Sequence, residues 1–353
     1  MALTDPGWGR NEPARWRFLL RSTSARAHAR VLRCPLLSRA VTDVARDPVN
    51  LPMIRHWCDA MTDHNPVYTD EVYAAKSIHG GIVAPPAMLN AWTMPGLPGR
   101  AASDLATTPI RELDAAGYTS IVATNSEQEY VRYLRLGDRL HGTTQFEDVS
   151  AEKQTALGLG RFVSWQTRYR TDSGEEVGRM RFRVFKWKPG TGRLPPAAPI
   201  TRAAAARPEP PPRQPRREAT LRFAALREGE ELAPCPVPIT TTLIVAGALA
   251  SRDYQDVHHD KEAAIRRGTP DIFMNILTTS GLVARYVTDW AGPDAILSAL
   301  RIRLGAPNHP GDTMLFSGRV AAAQGGQVEV AIRGANALGD HVTGTVELRL
   351  PCE

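Results

Sequence analysis

The chain has 353 residues, 42% hydrophobic and 23% charged, with a net charge of +6, which is apolar material enough for two sizeable cores. Its longest apolar run, Leu243–Ala250, falls far short of the roughly 20 residues that cross a bilayer, so a membrane-spanning helix is excluded. Cys34, Cys58, Cys235 and Cys352 stand apart, with no CxxC or Cys/His cluster; neither a disulfide framework nor a metal site is expected, and a reducing cytoplasm fits this usage.

Between Pro13 and Val41 lie Arg15, Arg17, Arg21, Arg26, Arg30, Arg33 and Arg39, with no acid among them. Residues 1–45 are therefore read as a basic N-terminal extension, with disorder one reading and a transit-like segment another. Nucleic acid is not an expected partner, because no finger spacing, helix-turn-helix pattern or basic strip with aromatics follows. A first folded part is expected over residues 46–188. It carries Asp63-His-Asn65-Pro66-Val-Tyr68-Thr-Asp70, a short helix over Glu71–Lys76, and a second, apolar helix over Pro86–Met94. Later, Arg179, Arg181 and Arg183 alternate with Met180, Phe182 and Val184, the period-two pattern of a strand with one wet face.

Residues 189–218 hold nine prolines among arginines and read as a semi-rigid, solvated linker. The part beyond it, residues 219–353, repeats the order of the first. Asp253-Tyr-Gln255-Asp256-Val-His258-His-Asp260 precedes a helix over Lys261–Arg267, with Asp260 placed to cap it and Gly268 to end it. Ile276, Thr279, Val283, Val287 and Trp290 follow at helical spacing and predict a long helix with one buried face. Val328, Val330 and Ile332, then Val346, Leu348 and Leu350, alternate as strands. Each part is thus a helical portion followed by an antiparallel meander, an α+β arrangement made twice.

Asp253 and His258, five residues apart on one turn, are the catalytic candidates. A carboxylate and an imidazole titrating near pH 6.5 are suited to hold a water and move its protons. His259 is adjacent and faces elsewhere, so His258 is preferred on spacing. The first part has Tyr68 at the matching place, a poor base at neutral pH, so Asp63–Asp70 is expected to be a turn and His64 a solvent-facing residue. Gly268 and Asn275 are candidate substrate-binding residues: backbone N–H groups at the start of the long helix could stabilise a developing oxyanion. For Gly268 a role in ending the preceding helix, and for Asn275 a role as helix cap, are equally open. Arg266, Arg267, Arg301 and Arg303 are candidates for binding a substrate's phosphate groups, each also readable as part of a solvated face.

The element order and the two signatures resemble the MaoC-like, or type 2, enoyl-CoA hydratases of the hot-dog fold. More narrowly, Asp253–Trp290 is similar to the small catalytic subunit of the two-subunit MaoC-like hydratases of actinobacterial steroid side-chain breakdown. The stretches PMIRHWCDAM, DHNPVYTD and VAPPAM are similar to the partner subunit, so the chain looks like a fusion of the two. The family's Asn-Pro is Gln255-Asp256 here. The resemblance implies a double hot-dog fold, in which each curved antiparallel sheet wraps a central helix. It also implies Asp253 and His258 as the acid/base pair, and a degenerate first half that makes room for a bulky acyl group.

The function expected on this basis is hydration of a bulky, steroid-derived 2-enoyl-CoA by a cytoplasmic homodimer, with no metal or redox cofactor and with an aldolase of the same pathway as a partner. The alternatives are a 3-hydroxyacyl-thioester dehydratase of fatty-acid or polyketide synthesis and a non-catalytic acyl-CoA-binding partner.

Overall fold

A computed structural model describes residues 40–97, 109–192 and 215–352; most of the basic extension and of the proline-rich linker lie outside these. In the first half, strands β1 (Val41–Val44), β2 (Ser120–Tyr130), β3 (Leu140–Val149), β4 (Lys153–Gln154), β5 (Leu159–Thr171) and β6 (Glu176–Trp187) accompany helices α1 (Leu51–Met61), α2 (Pro66–Thr69), α3 (Glu71–Lys76) and α4 (Pro109–Ala115). In the second half, β7 (Glu231–Ile239) and helices α5 (Thr241–Ala250), α6 (Lys261–Arg266) and α7 (Ile276–Ala291) lead into β8 (Ile296–Leu304), β9 (Asp312–Gln324), β10 (Gln327–Asn336) and β11 (Gly339–Arg349). Val41–Val44, placed by sequence in the extension, pair with β3 as an edge strand.

All eleven strands form one antiparallel sheet in the order β1-β3-β5-β6-β2-β8-β11-β10-β9-β7, with β4 on the side of β5. The halves meet where β2 pairs with β8, from Asn125 opposite Arg303 to Glu129 opposite Ala299. The alternation read from sequence sets which face is dry: Met180, Phe182 and Val184 are buried while Arg179 and Arg181 are exposed. The expected double hot-dog, α+β architecture is the one found.

Helix α7 departs from the expectation of one buried face. Every residue from Ile276 to Thr288 is buried, because the sheet covers one side and helices cover the other. Two glycine contacts allow the close approach. A Cβ on Gly281 would lie 2.8 Å from the Trp57 ring of α1, and one on Gly247 of α5 would lie 2.2 Å from the Thr278 hydroxyl. The first half also differs from its reading. Pro86–Met94 is not a helix but two single 3-10 turns, Pro86–Met88 and Ala91–Thr93. Pro85, Pro86 and Pro95 bracket it; proline donates no N–H and holds the preceding residue extended. The Pro86–Met88 turn packs on α7, so one long helix serves the core of both halves.

Candidate active site

The duplicated signature folds into the same turn twice. Asn50 caps α1 and Thr240 caps α5, each side chain accepting a backbone N–H of the first turn. Each helix then ends on a left-handed residue, Thr62 at φ 52° and Arg252 at φ 57°, neither of them glycine. The following aspartate is turned back onto its helix: Asp63 N–H donates to Cys58 O at 2.8 Å and Asp253 N–H to Ala248 O at 2.9 Å. Left-handed non-glycine residues at matching places, immediately before the aspartates, are conformations held by the surrounding fold.

In the second half a 3-10 turn, Asp256–His258, carries the imidazole back toward the carboxylate. His258 Nε2 lies 3.4 Å from Asp253 Oδ2, and both side chains are almost entirely buried. The ring is fixed from its other edge by Phe273 O, 2.8 Å from Nδ1. A carbonyl only accepts, so Nδ1 carries the proton and the Nε2 lone pair faces the carboxylate. Asn275 binds three groups at once. Its amide N–H bonds reach Asp253 Oδ2 at 3.1 Å and Ser251 Oγ at 2.9 Å, while its Oδ1 accepts Thr278 N–H at 2.8 Å and caps α7. Burial works to raise the Asp253 carboxyl. When the His258 ring carries a proton on both nitrogens, its Nε2–H, with the Asn275 amide and the Gln255 backbone N–H, outweighs burial and holds the group below the usual aspartate value; in the neutral ring Nε2 offers its lone pair instead. The result is a buried carboxylate and an imidazole lone pair converging on one point, a geometry that can orient a water and take its proton.

The first half has the turn without the chemistry. Tyr68 replaces the imidazole and is fully buried, so desolvation first, then neighbouring Tyr133 and Asp63, push its phenol well above the ordinary value. It is neutral, and Tyr133, its hydrogen-bond neighbour, accepts Leu297 N–H at 2.8 Å. Asp63 is met by Arg216, whose Nη1 lies 3.4 Å from Asp63 Oδ1 and 2.8 Å from Asp289 Oδ1. Sequence placed Arg216 in a solvated linker. Its side chain is instead largely buried, because it supplies the charge that two enclosed carboxylates require. His64 is exposed as expected.

Of the other candidates, His259 is exposed, with Nε2 against Tyr254 O at 3.3 Å, away from the pair. Gly268 sits at φ 91° just past α6, and its N–H is taken by Ile265 O at 2.9 Å. It ends a helix, as one reading had it, and that N–H is no oxyanion donor. The donors left at the start of α7 are Ile276 and Leu277 N–H, which have no carbonyl one turn back within the helix. Asn275 caps α7, as one of its two readings had it, while its amide N–H bonds go to Asp253 and Ser251. Among the arginines, Arg267 pairs with Asp256, Arg266 with Glu262, and Arg301 with Glu347 and Glu129 on the sheet. Sequence reasoning missed Ser251, Phe273 and Arg216, since each acts through a contact that no local pattern announces. Among the described residues no three His, Cys, Asp or Glu side chains are grouped to hold a metal ion, and no helix is long and apolar enough to cross a membrane.

Comparison with known proteins finds relatives of both halves. A family profile described as the FAS1-like dehydratase domain region matches residues 39–180. The chain is 56% identical over 109 residues to the β subunit of 3-oxo-4,17-pregnadiene-20-carboxyl-CoA hydratase from Mycobacterium tuberculosis, a match covering 31% of this chain and 84% of the subunit. It is 46% identical over 151 residues to the α subunit of the same enzyme, covering 41% of this chain and 47% of that subunit. The chain therefore spans about half of the α-subunit relative and most of the β subunit. Among solved structures, one described as a MaoC-like dehydratase superposes with a TM-score of 0.68 at 19% identity, over 89% of this chain and 99% of that one. A Mycobacterium tuberculosis protein described as a double hotdog fold gives 0.57 at 15% identity, over 88% and 95%.

Proposed function

We propose, for a chain that belongs to the MaoC-like hydratase family of hot-dog proteins and joins relatives of both subunits in one polypeptide, that it hydrates a bulky, steroid-derived 2-enoyl-CoA. The observation that carries this is the buried Asp253–His258 pair, with Nε2 and Oδ2 3.4 Å apart and Nδ1 tied to Phe273 O. A water donating its two hydrogens to Nε2 and Oδ2 presents its oxygen lone pair to the β-carbon of the substrate. The O–Cβ bond forms as the pair takes a proton, and the double-bond electrons move onto the thioester as an enolate. The first N–H groups of α7 stabilise that charge. Return of the proton to the α-carbon completes the addition of water, and no metal or redox group enters the scheme.

The subunit names of the relatives supply the steroid class. The reading includes a cytoplasmic homodimer that reproduces a four-hot-dog assembly, with an aldolase of the same pathway acting on the product.

The test follows the absorbance of the conjugated thioester with a steroid enoyl-CoA and with crotonyl-CoA. Loss with the steroid substrate is expected, slowed by about 10²–10⁴-fold in His258→Ala. Unchanged acyl-CoA after long incubation with the wild type would overturn the reading, and full activity in His258→Ala would overturn the site.

A further inference from the structure

The segment that holds the His258 ring is itself gripped from behind. Residues 272–274 run between the catalytic turn and the loop joining β8 to β9. On the catalytic side, Phe273 N–H donates to Val257 O at 3.3 Å and Phe273 O faces His258 Nδ1. On the other side, Ile272 O lies 2.9 Å from Nδ1 of His309, and Met274 N–H donates to Asn308 O at 3.0 Å. The Phe273 ring stands between the two imidazoles, edge-on to each, with centroids 5.0 Å from His258 and 6.4 Å from His309.

His309 is not a loose partner. It is buried, and its backbone N–H donates to Asp312 Oδ2 at 2.7 Å. The loop is pinned to the sheet by Asn336, whose amide donates to Asn308 Oδ1 at 2.7 Å, and by His341 Nδ1 against Ala306 O at 2.7 Å. Successive carbonyls of one segment therefore each receive an imidazole N–H. Fixing Ile272 O from behind fixes the peptide plane next to it, and with it the direction in which Phe273 O presents itself to His258.

We propose that His309 is a positioning residue for the hydration reaction, setting the tautomer and orientation of His258 through the Ile272–Phe273 backbone. Its Nδ1–H touches no reacting atom. Its effect is on where the Nε2 lone pair of His258 points, and a shift of about 1 Å in a reacting group can cost up to 10²-fold in rate. Partners that orient a functional imidazole have comparable worth at metal sites, about 10–100-fold.

The proposal rests on the hydratase reading for its kinetic arm only. In that arm, His309→Leu and His309→Gln lower kcat by about 10–100-fold with KM within about twofold. His309→Asn, whose amide N–H occupies the place of Nδ1–H, returns kcat to within about threefold of the wild type. In the second arm, ¹⁵N-histidine spectra identify the His258 ring by its disappearance in His258→Gln. That ring is Nδ1-protonated in the wild type and His309→Asn, and a mixture of tautomers in His309→Gln. The glutamine variant serves if the leucine variant does not fold. Unchanged kcat and an unchanged His258 tautomer in His309→Gln overturn the proposal. Equal loss in the asparagine and glutamine variants does so too, since that marks mere bulk. A wild-type protein without hydratase activity sinks the functional reading instead, and leaves the ring measurement to decide this one.

Discussion

Asn275 shows how much a single buried side chain can settle. Its amide organises Asp253 and Ser251 while its carbonyl oxygen caps α7, so the start of the central helix and the carboxylate are built as one unit. The two tasks separate by substitution. Asn275→Ser keeps an N-cap acceptor but removes the amide N–H bonds to Asp253 Oδ2 and Ser251 Oγ, so the buried carboxylate loses a donor that positions it and holds its pKa down. Activity at neutral pH is expected to fall by about 10-fold or more, while the melting temperature changes little because the cap survives. A melting temperature lowered in step with activity would show the loss to be structural. In the first half the same turn has a phenol for an imidazole, and that one exchange is enough to leave a well-formed turn with no base in it.

At the scale of elements, α7 is the member on which the site depends, and its surroundings give it a pH dependence. His341 of β11 lies in the core with Nδ1 donating to Ala306 O at 2.7 Å and Nε2 2.8 Å from the Thr279 hydroxyl of α7. Burial lowers its pKa from 6.5 to about 4, against the smaller opposing effects of the Ala306 carbonyl and Asp312. The folded protein thus holds His341 neutral where the unfolded chain would protonate it. Its stability contribution is complete above pH 6.5 and is lost as pH falls toward 4. For this group alone the loss between pH 7 and pH 5 is roughly 2 kcal/mol. Urea unfolding at both pH values should show a difference smaller by about that amount in His341→Gln than in the wild type. Equal differences in the two proteins would rule His341 out as the source.

For the whole molecule, the sheet joins the halves through β2 and β8, and a charge cluster joins them again at the centre. Arg216, near the end of the proline-rich linker, meets Asp63 of the first half and Asp289 of α7, with Thr288 O at 3.3 Å from its Nη2. Burial raises the Asp63 carboxyl, Asp289 adds to this and Arg216 opposes it. Removing the guanidinium leaves Asp63 and Asp289 sharing the buried Arg285, 3.9 Å from Asp289, so Arg216→Met is expected to cost up to about 3–5 kcal/mol. The added variant Asp63→Asn should recover part of this, as measured by denaturant midpoints. A single Arg216→Met variant as stable as the wild type would show the cluster to be dispensable.

How much of this was readable beforehand differs by kind of feature. The alternation in β6, β10 and β11, the caps at Asp260 and Asn275, and the Gly268 stop follow from local sterics and hydrogen bonding, so the sequence by itself determined them. The same holds for the repeated Asp turn, because a signature that occurs twice with the same flanking helices is visible without coordinates. Tertiary structure alone decided the rest. Pro86–Met94 became two turns because prolines bracket it and because α7 fills the adjacent core. Arg216 left the solvent because Asp63 and Asp289, far apart in sequence, enclose one space. Phe273 acts on the site through a backbone carbonyl that any residue type could have offered, and Ser251 and His309 act through a hydroxyl and an imidazole whose partners lie far away in sequence. Such contacts carry no periodicity or composition signal, since what selects them is the approach of distant segments in the folded core.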